Sequence, residues 1–353
     1  MFKLIDLYIA RTLFGSIAAT LSVLIGLSAL IKFVEQLGRV GQGDYDMTLA
    51  GLYVLLSLPR EIELFLPMAT LLGALVGMGL LAQSSELIVM QAAGLSRTNI
   101  TMSAMKSVVV IIIAIMALGE WVTPISEARA KQIRTQALTG GSLLSADSLT
   151  WAKDGNDFVS IGQVLDQNTL TDVKVYQFDD ELHLVQVISA QQAIYEKESW
   201  SLNDVKQVVF TPQRIQNSQM KTYAWNSTIT PDKLGIVAVK PEALSISGLK
   251  EYIGYLRNNG QDSARYELAL WRKILQPVSV VVMLLLAMSF IFGPLRSVTM
   301  GARTGMGILA GFSFFVSNEM FGQVALVFQL PPVIGALLPS FLFTIVAVLL
   351  LRR

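Results

Sequence analysis

The sequence predicts a polytopic α-helical membrane protein with six transmembrane helices, in two groups of three, and one β-rich insert between the groups. Three observations predict it. Apolar stretches run through residues 12–31, 64–82 and 107–122, and again through 268–292, 305–328 and 333–351. A polar block, residues 126–265, separates the groups and changes to a period of two. Of the 353 residues, 53% are hydrophobic and 15% charged, where a soluble domain carries about 25% charged residues. The chain thus divides into an N-terminal membrane half (1–125), the insert (126–265) and a C-terminal membrane half (266–353).

A bilayer core needs about 20 mostly apolar residues per helix. Five stretches meet that length or nearly so, and the third does once residues 100–106 are included. Backbone amides in hydrocarbon must be satisfied internally, which makes these stretches helices. Residues 1–11 mix Phe2, Leu4, Ile5, Tyr8 and Ile9 with Lys3, Asp6 and Arg11, the pattern of a short surface helix before the first crossing. The run after them is longer than the apolar core of a signal peptide and no A-x-A site follows, so it is read as an uncleaved first helix. It ends in Lys32 to Arg39 and a turn-rich Gly41-Gln-Gly-Asp44. Residues 47–58 are apolar but too short to span, and Pro59 stops them, which predicts an interfacial helix.

The second crossing carries Gly73, Gly77 and Gly79, and the fifth Gly301, Gly305, Gly307 and Gly311. Small residues at such spacing let helices approach closely in lipid, for tight packing within the chain or for a face that slides. Pro277 is expected to kink the fourth crossing. Residues 126–138 extend the third crossing outward as a charged helix. Residues 157–161, 173–178, 182–188, 205–210 and 221–225 alternate as short strands, which suggests a sandwich or open roll. Residues 245–258 return to a helical pattern and lead into the fourth crossing.

Lysine and arginine in short loops orient the chain. Lys3 and Arg11, Arg97 and Lys106, Arg296 and Arg303, and Arg352 and Arg353 fall on one side of six crossings. On the other side Lys32, Arg39 and Arg60 are offset by Glu35, Asp44, Asp46, Glu61 and Glu63. Both termini are therefore expected in the cytoplasm, with the insert outside.

The chemistry of a catalyst is thin. The chain has no cysteine, which excludes thiolate ligands and nucleophiles, and its net charge of +1 gives no case for nucleic acid. It contains no G-x-x-x-x-G-K-[ST], H-E-x-x-H or G-x-S-x-G. The lone histidine, His183, is placed in a strand and read as structural or solvent-facing.

Two features stand out. Residues 84–96 form a short helix in the loop after the second crossing, with Ser84 or Ser85 to cap it, Glu86 against its positive end and Gly94 as its terminator. Leu87, Met90 and Gly94 share one face and Ile88, Ala92 and Leu95 another. Such a helix is a plain connector or a docking element for a cytoplasmic partner. The second feature is a set of cations near the outer surface: Lys32, Arg39 and, on the extension of the third crossing, Arg134. Lysine at a membrane edge snorkels at little cost, or binds phosphate on a lipid headgroup. Glu319, in the fifth crossing, is read as a buried acid that needs a partner.

The chain resembles the LptF/LptG permease family of the bacterial lipopolysaccharide exporter along nearly its whole length. The stretches that carry the resemblance are Ile31-Lys-Phe-Val-Glu-Gln-Leu37, Ser85-Glu-Leu-Ile-Val-Met-Gln-Ala-Ala-Gly94, Gly140-Gly-Ser-Leu-Leu144, Ala243-Leu-Ser-Ile-Ser-Gly-Leu249 and Ser289-Phe-Ile-Phe-Gly-Pro-Leu-Arg-Ser297, of which the last two favour the G branch. The resemblance implies a periplasmic jellyroll-like domain and an inner-membrane complex of an LptF-like paralogue, an LptB ATPase dimer and LptC in a Gram-negative bacterium. It implies that lipopolysaccharide leaves the outer leaflet of the inner membrane and passes along a periplasmic bridge. ATP and magnesium would be bound by the ATPase partner and no cofactor by this chain.

By the same resemblance, Glu86 is the acidic residue of the coupling helix, with Leu87, Met90 and Gly94 beside it. Lys32, Arg39 and Arg134 are the cations for lipid A phosphates. Gly38 stands where relatives carry a further cation, which weakens or redistributes that part of the site. Leu27, Leu30, Phe312, Phe315 and Phe321 line the acyl cavity, and Glu319 is expected to answer to the paralogue rather than to Lys32. Two other classes stay open. A membrane-embedded envelope-lipid-modifying enzyme would use Glu61, Glu63 or Glu120, which lack histidine or metal company. A scaffold or signal transducer would use the coupling helix only as a tether.

Overall fold

The computed structural model describes residues 4–139, 150–166, 168–179, 181–196, 199–211, 214–227, 229–230, 241–292 and 299–352. Lys3, the motif at Gly140–Leu144, Arg296 with residues 293–297 of its motif, and Arg353 lie outside the described residues, as do the side chains of Arg303 and Arg352. Helices α1 (Leu4–Leu37), α2 (Met47–Gln83), α3 (Glu86–Ala92) and α4 (Arg97–Ala117) come first. A π turn, Leu118–Val122, joins α4 to α5 (Thr123–Thr139). After the strands come α6 (Ile246–Asn258), α7 (Ala264–Phe292), α8 (Met300–Val327) and α9 (Pro332–Arg352). Among the described residues 5 helical stretches are long and apolar enough to cross a membrane: α1, α2, the α4–α5 run, α7 and α9. The fifth predicted crossing falls on α8, 28 residues of unbroken helix.

Two expectations about the membrane helices are corrected. Residues 4–11 are not a separate surface helix but the first turns of α1. Ile9 and Leu13 are fully buried, and Asp6 accepts from Ser103 and pairs with Lys106 at 3.3 Å on α4. Burial and that pairing hold the mixed-polarity start in line with the crossing. Nor does Pro59 end a separate interfacial helix. The helix α2 runs through Pro59 and Pro67, because Ala50, Val54 and Ser57 are buried and α2 packs along α1 and α5. Tertiary burial outweighs the hydrogen bond each proline removes. Asp46 caps its start, accepting from Leu49 N at 2.8 Å.

The membrane helices pack around α2. A Cβ at Gly73 would lie 2.6 Å from Ile17 Cα, and one at Gly77 would overlap Ser16 Oγ, so glycine sets the α1–α2 approach. On α8, Gly307 and Gly311 face Leu75, Leu71 and Met68 of α2. At 100° per residue these three lie on the face of α2 opposite Gly73 and Gly77. The helix α2 therefore stands between α1 and α8. Gly301 and Gly305 have nothing within 4 Å. The helices α7 and α9 pack on each other, and α7 also meets α2 and α4, closing a core that includes Leu66, Met78, Val108, Met283 and Leu284.

The insert carries β1 (Thr150–Asp154), β2 (Asp157–Asp166), β3 (Thr169–Phe178), β4 (Leu184–Glu196), β5 (Ser199–Thr211) and β6 (Arg214–Trp225). These described strands form one antiparallel sheet in chain order, β1 to β6. The strand β1 lies outside the alternating segments of the sequence. His183 lies in the β3–β4 turn, not in a strand; its main-chain N–H donates to Asp179 at 2.8 Å, and this bond holds the Asp179 carboxyl below its ordinary range.

The buried face switches parity along one row of this sheet. Val173, Val175, Ile188, Ala190 and Val205 point inward on one side of the row, and Leu170, Ala193, Leu202 and Trp200 on the other. The row passes through Asp172 and Asp204, both at positive φ (50° and 53°), and creases the sheet. The helix α6 ties the sheet to the bundle: Tyr255 Oη donates to Lys153 O at 2.8 Å, and Asn259 Oδ1 accepts from Gly155 N at 2.7 Å. Burial pushes the Tyr255 hydroxyl up to about 12.

Candidate functional site

At the insert end of the bundle, opposite charges gather in one layer. Ser28 and Lys32 are one turn apart on α1 and face α2. Lys32 Nζ lies 2.6 Å from Glu61 Oε1, and Ser28 Oγ donates to Glu61 Oε2 at 2.6 Å. Arg60 reaches Glu127 at 3.6 Å and Glu242 at 3.7 Å. The layer continues to Lys273 on α7, 3.4 Å from Glu63, with Thr123 as a second donor to that carboxylate.

The sequence explains why these groups converge. Pro67 has no N–H to give to the carbonyl of Glu63, and Gln276 Nε2 donates to that oxygen at 2.7 Å. In the π turn, Thr123 N bonds back to Leu118 O, and the next residue, Pro124, has no N–H. Gly119 O is thereby left for Lys273 Nζ, which donates to it at 2.8 Å and to Leu244 O at 2.8 Å. Gly119 is required there, because a Cβ would lie 2.6 Å from Glu63 Oε2. Glu120 turns the other way and caps α6, accepting from Ile246 N at 2.8 Å and Ser247 Oγ at 2.7 Å. Glu61, Glu63 and Glu120, the carboxylates a membrane enzyme would use, are thus engaged as ion-pair partners or a helix cap.

Arg39 is exposed in the turn after α1. Arg134 on α5 lies over the Tyr53 ring, 5.2 Å from its centroid, and donates to its hydroxyl at 3.3 Å. A small cluster of Tyr45, Ala50 and Ala137 with Phe33 joins the segments that carry Lys32, Arg39 and Arg134. Leu27 and Leu30 on α1 and Phe312 and Phe315 on α8 are exposed, while Phe321 is half-buried. The structure does not bring the two sets together, since α2 separates α1 from α8. The expected burial of Glu319 is corrected: its side chain is 48% exposed, and within this chain it pairs with Arg272 at 3.2 Å. Gly322 makes room for that guanidinium, which a Cβ would overlap.

At the opposite end, α3 closes with a complete Schellman turn: Leu95 N bonds Met90 O, Gly94 N bonds Gln91 O, and Gly94 has φ +92°. Its start differs from expectation. Ser85 has φ +63° and caps nothing, while Ser84 Oγ donates to Glu86 Oε1 at 3.0 Å. Tyr8 Oη of α1 donates to Glu86 Oε2 at 2.6 Å. Leu87 is buried and Met90 half-buried against the membrane core, while Ile88, Val89, Ala92 and Gly94 are exposed. The helix α3 thus anchors on its own bundle through its Leu87 side.

The family profile of the lipopolysaccharide export system permease LptF/LptG matches residues 7–353. The chain belongs to the LptF/LptG permease family. It is 49% identical over 355 residues to LptG of Escherichia coli K12, with 100% of this chain and 99% of that relative covered. To LptG of Haemophilus influenzae Rd it is 47% identical over 355 residues, again covering 100% and 99%. To LptF of Escherichia coli K12 it is 29% identical over 171 residues, 44% of this chain and 46% of that relative. Within this LptF/LptG chain, sequence reasoning missed Tyr8, Arg60, Arg272, Lys273 and Gln276 as parts of the two ends. The available signals were the N–H-less Pro67 and Pro124 and the two cations inside an apolar stretch, which demand partners in a membrane.

Proposed function

We infer that this chain is the LptG-like permease subunit of an ABC exporter that takes lipopolysaccharide from the outer leaflet of the inner membrane to a periplasmic bridge. The observation that carries the reading is the full-length likeness to LptG relatives. ATP is hydrolysed in a partner, an LptB-like dimer, and this chain transports rather than catalyses. Six helices cross, with α8 as the fifth. Both termini are cytoplasmic, and the creased sheet is the described part of a jellyroll-like periplasmic domain.

The opposite placement of α1 and α8 about α2 supports a cavity shared with an LptF-like paralogue: each permease offers its α1 to the α8 of the other. Leu27 and Leu30 then line one wall for acyl chains, and Phe312, Phe315 and Phe321 the other. Lys32, with Arg39 and Arg134 farther out, meets the lipid A phosphates at the rim. LptC docks beside α1. The helix α3 presents Glu86, Ile88 and Val89 to the ATPase, with Gly94 setting its end.

The test is photocrosslinking of lipopolysaccharide to the purified complex at matched expression. Lys32→Asp reduces crosslinking more than Lys32→Ala, because attraction becomes repulsion. Equal crosslinking for wild type and Lys32→Asp would remove the phosphate-contact role.

A further inference from the structure

Lys32 does not stand as a free cation. Its ammonium is 2.6 Å from Glu61, whose other oxygen accepts from Ser28 at 2.6 Å. The two side chains differ in access: Lys32 is 25% exposed and Glu61 7%. The lysine can therefore swing outward on its flexible stem while the carboxylate is held in place. The neighbouring charges of the layer are committed elsewhere, Arg60 to Glu127 and Glu242, and Lys273 to Glu63. A headgroup that draws Lys32 away leaves Glu61 buried with the Ser28 hydroxyl still donating to it but without the ammonium, which opposes the exchange.

We propose that Glu61 is a specificity-determining residue of the headgroup site, an internal anion that competes with the lipid for Lys32. The proposal rests on the assignment of Lys32 to lipid phosphates. A phosphomonoester carries about −1.5 to −2 charge at neutral pH and outcompetes one carboxylate. The phosphodiester of an ordinary bilayer phospholipid carries a single negative charge, often beside a cation, and does not. The pair thus selects phosphomonoester-bearing lipid from the surrounding bilayer by charge alone.

The experiment uses the purified complex with both permeases and the ATPase, without nucleotide. Binding is titrated with phosphorylated lipid A, dephosphorylated lipid A and phosphatidylglycerol. Glu61→Gln keeps the side-chain shape and the acceptor for Ser28 but removes the charge. It is expected to tighten phosphatidylglycerol more than lipid A and to narrow the preference by about tenfold, with dephosphorylated lipid A unchanged. In a Lys32→Ala background the same substitution has no effect on the preference. Glu61→Asp, which keeps the charge but withdraws it by one methylene, narrows the preference partway and serves if Glu61→Gln does not assemble.

Two failures are distinguishable. If Lys32→Ala leaves lipid A binding at the wild-type level, the assignment of Lys32 itself falls, and the role of Glu61 with it. If Lys32→Ala weakens binding but neither Glu61 variant changes the preference, the lysine assignment stands and the competing-anion role is overturned.

Discussion

Lys273→Met tests whether the buried charge layer holds the two membrane halves together. The ammonium is 3.4 Å from Glu63, and the two side chains are 9% and 10% exposed. At an effective dielectric of 20 that attraction is about 5 kcal/mol, and the donations to Gly119 O and Leu244 O add to it. Desolvation of both charges offsets much of this in the intact pair, but removing one partner strands the other, which costs about 3–5 kcal/mol. Thr123 still donates to Glu63, so the lower end, about 3 kcal/mol, is expected. The assay is denaturant unfolding of the purified complex in detergent, with Lys273→Met, Glu63→Gln and the double variant forming a cycle. The double variant strands no charge and recovers at least about 1 kcal/mol relative to additivity. A single variant within about 0.5 kcal/mol of wild type, or a strictly additive double variant, would refute the reasoning.

Other substitutions probe the helix approaches and the α3 end. Gly73→Val pushes a side chain into Ile17 of α1 and lowers stability by about 1–3 kcal/mol, whereas Gly15→Ala, with nothing within 4 Å, is neutral or stabilising in the same unfolding assay. Glu86→Ala weakens co-purification of the ATPase while membrane insertion stays normal, because a charge-assisted contact of this kind contributes about 1.5–3 kcal/mol. Tyr8→Phe removes the hydroxyl that orients Glu86 and weakens the same co-purification less than Glu86→Ala; wild-type recovery of the ATPase with both variants would contradict the docking role.

Much of the fold was legible because its causes are local. Helix length and apolarity mark the crossings, Ser245 caps α6 by accepting from Gly248 N, and Gly94 ends α3 where only its left-handed φ fits. The continuity of α1 and α2 was not legible, because it depends on burial against other helices that outweighs a proline and a patch of charges. The partners of the candidate site were hidden for the same reason. Lys273 meets Gly119 across 154 positions and Asp6 meets Lys106 across 100, and a single sequence carries no record of such pairings. The sheet crease depends on two aspartates at positive φ, a conformation that residue type permits but does not demand.

The central claim is that this chain moves lipid with energy supplied by a partner. The most direct measurement is nucleotide-dependent release of lipopolysaccharide from proteoliposomes that contain this chain, the paralogous permease and the ATPase. The account predicts release that requires all three components and ATP, and no ATP hydrolysis by this chain alone, which contains no G-x-x-x-x-G-K-[ST] loop. Release that proceeds without this chain, or robust hydrolysis by it alone, would contradict the account.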